Sequence, residues 1–421
     1  MSAVLHQDVL QPLRARAAER FAQLGWPTTR VEEWRYTNLA PLARMAWSRA
    51  DSVAAVETSG ASLCGLAIAE LVFVNGVYAP EASSGGGVPG VTITTLRNAP
   101  AELVAAWFGK VADAERHPLT ALNTAQAQDG AIIEVSDAIE GFVHLLFIGS
   151  SGYDSHVRNV VVAGRGSQIA VVESYVGTGA YFTNTVTEIV AADGAVVDHY
   201  KIGAESRDAF HIGTTYVQQE RASNVTSRNI TVGGRLVRSD VVSRLDGEGA
   251  TVTLDGLYIG NGTQHIDQHT IIEHAKPHCD SIELYKGVLD DSARGIFDGV
   301  IVVRPHASKT ASRQENHNLL LSGTAVADSK PTLEIHNDDV KCNHGSTIGQ
   351  IAEEPMFYLR SRGIGEEEAR GLLVHAFASE IVDRMKIEPI REQVRRAIFT
   401  AMPERMPERR GDARGAAEEE N

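Results

Sequence analysis

The chain has 421 residues, with 39 Lys and Arg against 54 Asp and Glu, a formal net charge of −15, 43% hydrophobic and 6% aromatic residues. That length supplies chain for about two to three domains and ample material for a core. The negative charge repels phosphate backbones and anionic lipid, which argues against nucleic acid or membrane as the main partner and leaves proteins and cations. The three cysteines, Cys64, Cys279 and Cys342, form no C-x-x-C pair, so neither a disulfide framework nor a self-sufficient zinc or iron-sulfur motif is expected. A reducing cytoplasm fits that usage. The first residues lack a basic stretch leading into an apolar run, and the apolar stretch Phe142 to Ile148 is too short to span a bilayer. Neither secretion nor membrane insertion is expected.

Residues 9 to 24 read as an amphipathic helix that Gly25, Trp26 and Pro27 end, and Thr29 with Glu32 forms a T-x-x-E capping box that predicts a second helix. Asn75-Gly76 within Leu71 to Ala79 is a hairpin signal, Ser83 to Gly90 a Gly-rich loop, and Ala101 to Phe108 a predicted helix. Together they make a mixed N-terminal domain, residues 1–127. No proline then occurs between Pro118 and Pro277, and Val, Ile and Thr strands alternate with Gly, Asp, Asn and Ser turns. Strand-like arms begin near Gly166, Gly194, Ser223, Gly249 and Asp280, spaced 28, 29, 26 and 31 residues. A second series begins near Tyr181, Phe210, Leu236, His265 and Ile296, spaced 29, 26, 29 and 31. Two interleaved series with one loose period predict a β-solenoid over residues 128–350, because each coil stacks its strands on those of the next. A β-sandwich gives no reason for that shared period.

After Gln350 the pattern is helical, residues 351–401. Ala369, Leu372, Leu373, Ala376 and Phe377 fall at i, i+3, i+4, i+7 and i+8, and Glu366, Glu367 and Glu368 sit at the positive end of the helix dipole. Pro389 permits a further short helix. Residues 402–421, rich in Pro, Glu, Arg and Gly, are expected to be a disordered tail.

No G-x-x-x-x-G-K-[ST] loop and no strand-linked G-x-G-x-x-G is present, so the chain is not expected to bind nucleotide. There is no G-x-S-x-G elbow either. Eight of the fifteen histidines lie between His265 and His344. His265 and His269 share a strand face by even spacing, and a metal or catalytic role for the His265 to His278 cluster, with His274 inside it, stands beside the simpler reading of turn caps and stack filling. The densest constellation is Asp338-Asp339-Val340-Lys341-Cys342-Asn343-His344-Gly345. Its thiol and imidazole are both ligands for iron, and Lys341 and His344 are expected to lower the Cys342 pKa. A cluster needs about four ligands. One Cys and one His cannot supply them, so a site here has to be completed by another chain.

The run EIHNDDVKCNHGSTIGQI, followed by MFYLRSRGIGEEEARGLLVHAF, resembles the SufD subunit of the SUF iron-sulfur cluster assembly machinery, and PHCDSIELYKGVLDDSARGIFDGVIVV and VEEWRYTNL are similar to the same family. The paralogue SufB shares the YKG and FYLRSRGI neighbourhoods, whereas D-D-V-K-C-x-H-G is similar to SufD. The resemblance implies a right-handed parallel β-helix flanked by helical terminal regions. It implies a non-catalytic scaffold that pairs with SufB, or forms a homodimer in isolation, and docks the SufC ATPase through the region after Gln350, with the stripe Ala369, Leu372, Leu373, Ala376 and Phe377. It implies a transient iron-sulfur cluster, or iron, held by Cys342 and His344 and shared with SufB. Two other classes are compatible with the sequence: a β-helix enzyme acting on polysaccharide, which the few aromatics disfavour, and a stand-alone metalloenzyme using the His265 to His278 cluster.

Overall fold

The computed structural model describes residues 2–53 and 60–401, so the tail expected over residues 402–421 lies outside the described residues. From Ala131 to Gly349 successive strands alternate between two sheets. The front sheet has, in spatial order, Ala131–Val135, Tyr153–Ala163, Phe182–Ala191, Phe210–Gln219, Leu236–Leu245, His265–His274, Arg294–Val303 and Val326–Ile335. The back sheet has Ala138–Ser150, Gln168–Thr178, Val196–Ala204, Asn224–Thr231, Thr251–Gly260, Asp280–Leu289, Thr310–Leu320 and Val340–Gly349. All of these neighbours pair in parallel. The two series read from the sequence are the two sheets. Gly166 and its successors open back strands, and Tyr181 and its successors mark front strands, with Ile296 two residues inside Arg294–Val303. The fold is a parallel β-solenoid.

Alternation sends every second side chain between the sheets. Val171, Val197 and Val225 from the back meet Val161, Ile189 and Val217 from the front, and further along Leu254, Tyr258, Tyr285, Phe297 and Ile301 fill the same space. The front-to-back turns carry a positive φ at Gly166, Gly194, Ala222, Gly249, His278 and Lys309. Each of those amides donates to a carbonyl of the next coil, from Gly166 to Asp193 at 2.9 Å through Lys309 to Asp339 at 2.7 Å. The turns therefore stack as a hydrogen-bonded ladder of their own. That geometry is why small residues punctuate the sequence at the coil period.

The upstream end is closed. Strand Ala69–Val74 adds in parallel to Ala138–Ser150, its hairpin turn at Asn75 and Gly76 has φ of 48° and 81°, and Val91–Thr95 adds antiparallel to Ala131–Val135. Helix Ser2–Leu24, ended by Gly25 at φ 66°, packs with Ala101–Trp107 and with Pro118–Gln126, a helix absent from the sequence reading. These cover the outer face of the first front strands.

The helix predicted from the Thr29/Glu32 capping box does not form. Only a single 3-10 turn, Glu32–Trp34, follows, with Val31 at its N-cap and no side-chain cap. Tertiary contacts outweigh the local signal: the Arg238 guanidinium stacks 3.8 Å above the Trp34 ring, and Thr37 reaches the front sheet.

After the solenoid come helices Glu353–Ser361, Glu366–Val382 and Glu388–Ala401. The second and third fold back over the outer face of the back sheet, where Val374, Ala378, Ile381, Ile390, Val394 and Ile398 bury Tyr200, Ile230, Leu257, Ile259 and Val288. The downstream end is open. Among the described residues, nothing pairs with the far edges of Val326–Ile335 and Val340–Gly349; the first is mostly half-buried and the second largely exposed.

Candidate functional site at the open end of the solenoid

Register decides what the last back strand presents. Cys342 and His344 stand opposite Ser312 and Gln314, which stand opposite Ser281 and Glu283. Ser281, Ser312, Glu283 and Gln314 are buried between the sheets, so Cys342 and His344 lie on that same inward face at the open mouth. Two polar columns lead to them. In one, His274 Nε2 meets Ser281 Oγ at 2.9 Å, and Ser281 Oγ donates to Ser312 Oγ at 2.8 Å, one rung below Cys342. In the other, Gln314 Nε2 donates to Glu283 Oε2 at 2.7 Å, one rung below His344. Burial pushes the Glu283 carboxyl up to about 7 and the His274 imidazole down to about 4.

Cys342 and His344 thus share a face, two residues apart, with the imidazole exposed and the thiol half-buried against the interior core. The expected lowering of the Cys342 pKa is not found. Burial pushes the thiol up, and Lys341 falls on the opposite face of the strand by the two-residue alternation. One thiol and one imidazole are two donors. No group of three or more His, Cys, Asp or Glu that could hold a metal occurs among the described residues.

The histidines from His265 to His278 are dispersed. His265 and His269 do share the outer face of one front strand, but each is engaged: His265 Nε2 lies 2.8 Å from Thr37 Oγ1, and His269 Nε2 lies 2.9 Å from Asp267 Oδ1. Burial would raise the Asp267 carboxyl, yet His269 and Arg238 hold it well below the usual range. This group docks the VEEWRYTNL segment onto the front sheet. His274 points into the solenoid, and His278 sits in a turn at φ 58°.

The stripe after Gln350 is divided. Ala369 is fully buried, Leu372, Leu373 and Phe377 are half-buried, and Ala376 is exposed. Phe377 packs on its own chain, its ring 4.2 Å from Lys286 Nζ. The apolar residues most open to solvent in this region are instead Phe357, 75% exposed, and Tyr358, 57% exposed, on Glu353–Ser361 directly after the open end. The sequence reading missed them because apolar residues at helical spacing read as a core face by default.

Comparison with known proteins assigns this parallel solenoid to a family. Residues 147–377 match the family model "SUF system FeS cluster assembly, SufBD core domain" and residues 3–141 match "SufBD protein N-terminal region". The chain belongs to the SufBD family of iron-sulfur cluster assembly proteins. It is 32% identical over 413 residues to an iron-sulfur cluster assembly SufBD family protein of Synechocystis, covering 93% of this chain and 91% of that one. It is 28% identical over 401 residues to the iron-sulfur cluster assembly protein SufD of Escherichia coli, covering 93% of each. A third similar protein is SufD of Bacillus subtilis, 28% identical over 420 residues, covering 92% of this chain and 93% of that one.

Proposed function

We propose that the chain is a scaffold subunit of a SUF assembly complex, which pairs through its open solenoid end with a SufB-like paralogue and contributes Cys342 and His344 to a shared site for nascent cluster or iron. The observation that carries this reading is the open end itself. Two adjacent edge strands leave their outward N–H and C=O groups unpaired, a surface suited to strand addition by another solenoid end. The only inward thiol and imidazole of the last back strand lie on that rim. A SufB-like partner belongs to the same SufBD core family by its name, so it is expected to offer a matching coil and the missing ligands. A SufC-like ATPase docks, in this reading, on the helical region after Gln350, with exposed Phe357 and Tyr358 as its anchors. This chain then acts as a non-catalytic partner in assembly, and ATP is handled by that subunit.

The test is co-expression of the full chain with SufB-like and SufC-like partners. His344→Ala is expected to leave complex yield unchanged while iron and sulfide content fall, because one of about four ligand positions is lost. Cys342→Ala is expected to be milder, since a half-buried cysteine also serves as packing. Loss of complex and cluster in equal proportion in His344→Ala refutes the ligand assignment.

A further inference from the structure

Near the closed end, on the outer face of the back sheet, three side chains from adjacent strands, far apart in sequence, form an acid–imidazole–hydroxyl relay. Glu70 and His144 stand directly opposite each other in paired strands, with Glu70 Oε2 2.8 Å from His144 Nδ1. His144 Nε2 lies 2.9 Å from Ser174 Oγ. All three residues are buried, at 1%, 0% and 4% exposure. Glu70 also accepts from Ser62 Oγ at 2.6 Å and from the Leu63 amide at 2.5 Å. Against its burial, the bonds from His144, Ser62 and Leu63 hold the Glu70 carboxyl below its ordinary range.

The proton positions follow from the donor inventory. An ionised carboxylate only accepts, so His144 Nδ1 carries the hydrogen. In the neutral imidazole Nε2 is then the acceptor, and across the 2.9 Å contact Ser174 donates its hydroxyl hydrogen to it. Among the described residues no group donates to Ser174 Oγ, so its lone pairs are uncommitted. That is the ground state of an activated serine, an arrangement recognised by geometry and not by fold.

A strut that merely fixes the strand Ala69–Val74 needs no space beside it. Here Ser174 forms part of the floor of a cavity of about 650 Å³, together with Val176 and Ile202. Leu63 and Leu66 form one wall, and the helix Glu388–Ala401 forms the other, bringing Glu392, Gln393 and Arg396 to it; the Glu392 carboxylate is paired with Arg395 at 2.5 Å. Arg396 is exposed and has no ion pair among the described residues. The lining thus suits a short apolar acyl group with a negatively charged portion beside it.

We propose that Ser174 is a catalytic nucleophile, with His144 as its general base and Glu70 as a positioning residue, for hydrolysis of a carboxylic ester that joins a short apolar acyl chain to an anionic alcohol. Ser174 Oγ bonds to the ester carbonyl carbon while its proton passes to His144 Nε2. The carbon–alkoxide bond then breaks, and the alkoxide leaves with that proton. Water, deprotonated by His144, attacks the acyl-serine, and the proton returns to Ser174 Oγ as the carboxylic acid is released. Ester and water give acid and alcohol, with no other reactant. This centre is independent of the cluster-assembly reading.

The experiment uses the full-length chain, an alkyl fluorophosphonate probe and two esters, neutral p-nitrophenyl butyrate and the butyrate ester of 4-hydroxybenzoate. Mass spectrometry is expected to find the phosphonyl adduct on Ser174, and Ser174→Ala is expected to abolish both adduct and turnover with an unchanged thermal melt. His144→Gln is expected to slow labelling by about 10²-fold or more. Arg396→Gln is expected to raise KM for the hydroxybenzoate ester and leave that for p-nitrophenyl butyrate unchanged. Should His144→Gln fail to fold, the wild-type adduct and its loss in Ser174→Ala decide the matter. A folded wild-type chain that carries no adduct on Ser174, or turnover that persists in Ser174→Ala, overturns the proposal.

Discussion

Glu283 offers a quantitative test of the solenoid interior. Its carboxyl is fully enclosed between the sheets, where one oxygen accepts from Gln314 at 2.7 Å and the other has no donor. Burial raises its pKa from 4.5 to about 7. The folded state therefore keeps a proton that the unfolded chain releases once pH passes 4.5. Stability is highest below that value, falls as pH climbs to about 7, and then stays level. At 1.36 kcal/mol per pKa unit, the displacement from 4.5 to about 7 amounts to roughly 3 kcal/mol, most of it lost between pH 5 and pH 8. Glu283→Gln never ionises, and its amide adds a donor where Glu283 Oε1 and Gln314 Oε1 are two buried acceptors without one. The variant is expected to gain about 2–3 kcal/mol over the wild type on going from pH 5 to pH 8. Urea unfolding followed by tryptophan fluorescence at both pH values measures this, and taking the difference between the two proteins cancels every other titrating group. Parallel stability profiles from pH 5 to pH 8 would refute the reasoning.

Three further outcomes are expected. Glu188→Ala strips the buried Arg158 of its ion pair at 2.8 Å and frees the amides of Gly109, Val111 and Ala112, so thermal or urea unfolding is expected to register a loss of about 3–5 kcal/mol. A Cβ at Gly256 overlaps the Tyr285 ring, and Gly256→Ala is expected to cost about 1–3 kcal/mol in the same assay; an unchanged stability refutes this. Deleting everything after Gln350 uncovers Tyr200, Ile230, Leu257 and Val288, so docking of an ATPase is better tested by Phe357→Ala with Tyr358→Ala: co-purification is expected to fall with the melting temperature unchanged, and binding that survives both changes removes these residues as anchors.

The coil was legible in the sequence because its causes are local. A residue able to take positive φ is needed once per turn ladder, and β-branched residues suit the strands between, so two series near a 28-residue spacing appear without knowledge of any contact. The same locality made Gly25 and Asn75-Gly76 readable as a helix end and a hairpin. It misled at Thr29 and Glu32, where a local cap lost to the burial of Trp34 beneath Arg238. Two-residue alternation placed Cys342 with His344 on one face, but whether that face looks inward depended on their register with Ser312 and Gln314. The tertiary structure likewise dispersed His265 to His278, because a strand sends neighbours to opposite faces and only packing decides what waits on each side. Glu70, His144 and Ser174 carry no motif in the chain. They are separated by 74 and 30 residues, and only the stacking of three parallel strands brings their side chains within hydrogen-bonding distance.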